Sequence, residues 1–104
     1  MFESIKRMLG IAPTTDFATL VANGALILDV RTKGEYNGGH IKGSINIPLD
    51  QLTGNLTKLK DKNKIIITCC ASGTRSSIAK GILQSNGYTN VYNGGGWIRL
   101  NSKI

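Results

Sequence analysis

Cys70-Ala71-Ser72-Gly73-Thr74-Arg75-Ser76 comes two residues after an apolar, β-branched run, Ile65-Ile66-Ile67. Such a run reads as a buried strand. Behind the cysteine segment, apolar residues recur at Ile78, Ala79, Ile82 and Leu83, a helical spacing. A cysteine is thereby placed at the carboxyl end of a strand, with a short loop carrying the chain into a helix. Successive backbone N–H groups in such a loop converge on an anion, and the positive end of the helix dipole adds to them. A thiol held there ionises more readily and becomes a nucleophile. Arg75 adds a permanent charge with forked donors, suited to an oxyanion or to a second anionic group. The segment predicts cysteine chemistry on an anionic substrate.

The elements that must position this loop can be read on either side of it. Thr14 or Thr15 can cap a helix over Phe17, Leu20 and Val21 that ends at Asn23-Gly24. Ala25 to Val30 is continuously apolar apart from Asp29, as a strand buried on both faces should be. Lys33 to Asn37 can make one helical turn, stopped by Gly38-Gly39, and Ser44 to Ile47 is a short strand ended by Pro48. Leu49, Leu52, Leu56 and Leu59 predict a helix that Gly54 weakens in its middle. Lys64–Thr68 is the expected central strand, residues 76–86 the helix behind the loop, and Asn90-Val91-Tyr92 a last strand before Gly94-Gly95-Gly96 and a short tail with Trp97. Strands alternating with helices predict an α/β domain with a parallel sheet and helices on both faces. Ligands of such sheets bind at the carboxyl ends of the strands, where Cys70 lies.

A chain of 104 residues with 40% apolar content fits one ordinary globular domain. We expect a leader over residues 1–13, with Ile5, Met8 and Leu9 on one face, and a domain over 14–104. No apolar run approaches the ~20 residues needed to span a bilayer, and the first ten residues lack the apolar core of a secretory signal. The expectation is a cytoplasmic protein without a membrane partner. The net charge of +7 invites a nucleic-acid reading. Yet the one lysine cluster, Lys58, Lys60, Lys62 and Lys64, contains Asp61 and no aromatic residue to stack a base. It reads as a solvated face, and the positive field favours small anions instead. Cys69 and Cys70 are adjacent and point to opposite faces of a strand, so neither staples the fold. With one histidine, a four-ligand cysteine–histidine zinc site cannot be assembled, and no metal or cofactor is expected.

Several segments together resemble the rhodanese family of sulfurtransferases. They are Leu28-Asp29-Val30-Arg31 with Glu35-Tyr36, then Gly39-His40-Ile41-Lys42-Gly43-Ser44-Ile45-Asn46-Ile47-Pro48, then Cys70 to Ser76, and Gly94-Gly95 with Trp97. They occur in the family's order and spacing across roughly residues 14 to 100. The resemblance implies a single rhodanese-like domain. It implies that Cys70 takes a sulfane sulfur from a small anionic donor such as thiosulfate, forming a persulfide. Cyanide, a thiol or a partner protein would then remove that sulfur, a two-step covalent cycle. Ala71, Ser72, Gly73, Thr74 and Arg75 would bind the substrate, their N–H groups holding the thiolate and persulfide. Asp29 would pin loops by hydrogen bonds, Arg31 would pair with an acidic neighbour, and Ser76 would support the cradle. His40 belongs to a structural turn in that pattern, and Trp97 to the core. A monomer or weak dimer is expected.

Two rivals remain open at the level of sequence. Counted from Cys69, the segment reads Cys-x5-Arg, the spacing of protein tyrosine phosphatases and arsenate reductases. One more loop residue widens a cradle enough for a tetrahedral oxyanion, so the count carries chemical meaning. Gly73 and the Arg75-Ser76 pair suit the shorter count. The other rival is a non-catalytic sulfur carrier or protein-binding module on the same fold.

Overall fold

The two longest apolar runs become the two central strands, because only a strand covered on both faces can bury every side chain it carries. The computed structural model describes residues 14–104; the leader and the helical face expected for Ile5, Met8 and Leu9 lie outside them. Strands β1 (Leu26–Asp29), β2 (Ile45–Asn46), β3 (Ile66–Cys70) and β4 (Val91–Gly96) form one sheet in the order β2-β1-β3-β4. All pairings are parallel, with Leu28 opposite Ile45, Asp29 opposite Cys69 and Ile66 opposite Val91. The chain leaves β1 toward one edge and returns to the other side of β1 as β3. The order therefore reverses between β1 and β3, and a crevice at the carboxyl ends of these strands is the expected ligand position.

Helices cover both faces, as the alternation of elements predicts. On one face, α3 (Thr74–Ser85) places Ala79 and Leu83 against Leu28, Ile66 and Val30. On the other, α1 (Phe17–Ala22) and α4 (Trp97–Asn101) pack Leu20 and Leu100 against Ile27 and Ile67. The short helix α2 (Lys33–Asn37) follows β1 and opens with a capping box. Thr32 Oγ1 accepts the Glu35 N–H, and the Glu35 carboxylate accepts the Thr32 N–H.

Four local expectations change. The cap of α1 is Asp16 rather than Thr14 or Thr15, its carboxylate accepting the Thr19 N–H at 3.1 Å and the Thr19 hydroxyl at 2.7 Å. The Leu49–Leu59 helix is instead two 3-10 segments, Leu49–Gln51 and Thr53–Lys58, kinked at Asn55. The Asn55 side-chain amide takes the Gln51 carbonyl that an α-helix would give to the Asn55 backbone N–H, which turns to Leu52 instead. Leu52 and Leu59 remain buried, so the apolar spacing holds while the backbone tightens. At the site, β3 runs through Cys70, and α3 starts at Thr74 rather than at residue 76. Finally, β4 continues through the glycines to Gly96, where one extra residue between Thr68–Asn93 and Cys70–Gly96 shifts its register.

Candidate active site

The alternation of β3 sends its two cysteines to opposite faces of the sheet. Ile67 and Cys69 point into the layer under α1 and α4, whereas Ile66 and Cys70 point into the layer under α3. Beyond Cys70 the chain must turn sharply into α3, and Gly73 makes the turn at φ +113°, a conformation that L side chains rarely adopt. The turn brings the Gly73 N–H to 2.9 Å from Cys70 Sγ, where it donates a hydrogen bond. Burial raises the Cys70 thiol, but the backbone N–H groups of Ser76, Gly73 and Ser72 favour the thiolate and outweigh it. The net shift is below the ordinary thiol value of 9.0. Ala71, Ser72 and Thr74 are exposed on this loop, with Gly73 and Arg75 half-buried.

The cradle is braced from β4. Ser76 is fully buried, and its hydroxyl lies at 2.9 Å from the Gly73 carbonyl and also against the Asn93 side-chain oxygen. That same oxygen accepts the Gly95 N–H at 2.9 Å, and the Ser76 carbonyl accepts the Thr68 hydroxyl. The glycine run then passes so close to the loop that a Cβ on Gly96 would meet the Ala71 carbonyl at 2.9 Å. One on Gly94 would sit 2.8 Å from Ile67, Leu100 and the Thr68 carbonyl. Asn93 carried no signal in the sequence beyond standing before three glycines.

Cys69 is fully buried on the opposite face, and burial, with Asp29 next, pushes its thiol up to about 12. Beside it, Asp29 and Arg31 form a closed pair. The Asp29 carboxylate accepts the Arg31 backbone N–H and its Nε, and the guanidinium end approaches to 2.7 Å. Arg31 also donates to the carbonyls of Gly39 and Glu35, and it stacks at 4.6 Å over the Trp97 ring. Asp29 and Arg31 thus tie the chain after β1 to α2 and α4. Trp97 is half-buried in the layer that contains Cys69. His40 stacks on Tyr36 and its Nδ1 donates to the Tyr36 carbonyl at 2.7 Å, a structural turn away from Cys70.

Arg75 is placed differently from a free anion-binding fork. Its two terminal nitrogens donate to the Glu35 carboxylate at 2.7 and 3.0 Å, a bidentate pair between the start of α3 and α2. The Arg75 guanidinium holds the Glu35 carboxyl down at about 2, with the Thr32 N–H adding to it. Glu35 enters the sequence pattern only beside Tyr36; its capping-box place on α2 and its reach across 40 residues to Arg75 emerge in the fold. Of the lysine cluster, Lys58, Lys60, Lys62 and Lys64 are all exposed, and Lys62 lies over Tyr88, whose ring is itself buried and offers no stacking surface. Among the described residues no helix is long and apolar enough to cross a membrane.

Comparison with known proteins follows the same geometry. Residues 14–98 match the Rhodanese-like domain. The chain is 41% identical to thiosulfate sulfurtransferase PspE of Escherichia coli over 66% of its own length and 67% of that protein's. It is 38% identical to the Bacillus subtilis protein YqhL over 77% of its length and 64% of that protein's. A solved rhodanese with anions from E. coli superimposes with a TM-score of 0.67 at 39% identity, covering 71% of this chain and 89% of the other. A match over residues 14–98, nearly the whole described chain, places this protein in the rhodanese-like domain family.

Proposed function

We propose that the protein is a sulfurtransferase that carries a sulfane sulfur on Cys70. The observation that carries this reading is the hydrogen-bonded thiol itself: Cys70 Sγ accepts the Gly73 N–H at 2.9 Å in the loop that leads to Arg75, with its thiol lowered. The Cys70 thiolate attacks the outer sulfur of thiosulfate. A new S–S bond forms, the bond to the sulfonate sulfur breaks, and its electron pair leaves with sulfite. The negative charge passes from Sγ to the outer sulfur of the persulfide, and the N–H groups, already oriented, stabilise it without rearrangement. A thiophilic acceptor then takes the outer sulfur, and Cys70 departs as the thiolate with which it began.

Arg75 has two parts in this reading. Its ion pair with Glu35 fastens the first turn of α3 to α2 and holds the cradle in shape. Its charge, half exposed beside the loop, draws the anionic donor, whose sulfonate competes with or shares the Glu35 carboxylate's place on the guanidinium. Counting from Cys69 instead finds a thiol buried on the wrong face and pushed up to about 12, which speaks against the phosphatase spacing. The similarity to a named thiosulfate sulfurtransferase supports the donor class. The direct experiment is turnover of thiosulfate with cyanide, followed as thiocyanate, beside intact-protein mass after exposure to thiosulfate. We expect turnover and a gain of one sulfur atom. Hydrolysis of phosphate esters without either result would overturn the reading.

A further inference from the structure

Gly73 carries the N–H that bonds Cys70 Sγ, and at φ +113° it has no side chain to restrain its backbone. Its place must therefore be held from outside. The Gly73 carbonyl accepts the Ser77 N–H at 3.0 Å and the Ser76 hydroxyl at 2.9 Å. Ser76 is fully buried, and its carbonyl is fixed by the Thr68 hydroxyl at 2.9 Å. Its own hydroxyl is fixed from β4, where Asn93 Oδ1 shares the proton given to Gly73. The Gly95 N–H, bonded to the same Asn93 oxygen at 2.9 Å, settles which end of the amide faces the serine. With the amide nitrogen there instead, it would meet the Gly95 N–H as donor against donor.

Asn93 itself is exposed, stands opposite Thr68 where the register of β4 shifts, and belongs to neither apolar layer. Its side-chain oxygen nevertheless reaches the buried Ser76, so its contribution falls on the cradle rather than on the core. We propose that Asn93 is a positioning residue for sulfur transfer: acting through the Ser76 hydroxyl, it keeps the Gly73 N–H on the Cys70 sulfur. The proposal rests on the sulfur-transfer reading of Cys70. No bond is made or broken at Asn93. It fixes the donor that meets the charge on Sγ before sulfur is loaded, and again when the thiolate departs. Without the brace the glycine samples other backbone angles, the N–H spends less time on the sulfur, and the thiolate loses stabilisation.

The test is a double-mutant cycle on the full chain with Asn93→Ala, Ser76→Ala and the pair. Each protein is alkylated with iodoacetamide across pH, and each is exposed to thiosulfate and followed by mass. Asn93 is exposed and has no positive φ, so Asn93→Ala should keep the wild-type urea midpoint. Ser76→Ala leaves the Gly73 carbonyl with the Ser77 N–H and the Asn93 oxygen with the Gly95 N–H, so neither acceptor is orphaned. Asn93→Ala should raise the alkylation midpoint by about half a unit to one unit, the worth of about one hydrogen bond. Below that midpoint it should slow sulfur loading by about threefold to tenfold. Ser76→Ala should do the same, and the pair should add nothing to the larger single effect. An unmoved midpoint in Asn93→Ala overturns the proposal, whether or not the Ser76 variants fold. Shifts that add in the pair overturn it as well, since Asn93 would then act apart from Ser76. A wild type that alkylates as expected but gains no sulfur would instead overturn the sulfur-transfer reading and leave the brace standing.

Discussion

Cys69 lies under α1 and α4 next to a closed Asp29–Arg31 pair, and Cys70 lies under α3 with its Sγ accepting the Gly73 N–H. Both thiols are almost fully buried, so exposure does not separate them. What separates them is the company each face provides. On the Cys69 face, burial acts with little to oppose it and a buried carboxylate adds its repulsion, so the thiol stays protonated. On the Cys70 face, the loop turns its N–H groups inward, and hydrogen bonding to the thiolate exceeds the cost of burial. The same contrast runs through the two arginines. Arg31 is held in a fully enclosed pair with Asp29, whereas the Arg75–Glu35 pair is half exposed.

The largest expected effect comes from exchanging the sulfur on each face. Cys70→Ser should abolish sulfur transfer, since an alcohol cannot form the persulfide, and should gain no mass from thiosulfate. Cys69→Ser should keep most of the turnover and still gain one sulfur atom. Inverted results would move the nucleophile to Cys69 and restore the longer cradle; loss in both variants would make Cys69 a partner thiol.

Next is the enclosed pair. Arg31→Leu leaves the Asp29 carboxylate buried without its partner, and urea unfolding should show a loss of about 3–5 kcal/mol. A loss below about 1 kcal/mol would mean that water reaches Asp29 and that the two faces differ less than their geometry says.

Arg75→Lys should act oppositely, leaving the urea midpoint nearly unchanged. Lysine keeps the charge but cannot span both Glu35 oxygens or present a planar fork, so thiosulfate turnover should fall by about tenfold. Kinetics equal to the wild type would place Arg75 outside the site.

The finest test is alkylation of the folded protein as a function of pH. A lowered thiol pKa means that the thiolate fraction, and with it the iodoacetamide rate, rises to its plateau at lower pH than for a free cysteine. One adduct, at Cys70 and blocked by thiosulfate, should form with a midpoint below 9.0, while Cys69, at about 12, stays unmodified. A midpoint at or above 9.0 would show that burial, not the cradle, controls Cys70.

Much of this contrast could be read from residue order alone. Two all-apolar runs, helical spacing after a cysteine, and glycine at the turn are local signals, because strand and helix periods and the φ preference of glycine act over a few residues. From them came the parallel α/β sheet, Cys70 at a strand end, and opposite directions for adjacent cysteines. The Asn55 kink escaped because a side-chain amide and the backbone compete for one carbonyl, and apolar spacing records neither. Two features belong to tertiary structure alone: the Glu35 carboxylate across Arg75 and the Asn93 oxygen that braces Ser76. Each joins side chains from elements far apart in the chain. Such meetings depend on how β4 and α4 close over the loop and on which turn of α2 faces α3, and no local preference encodes that distance.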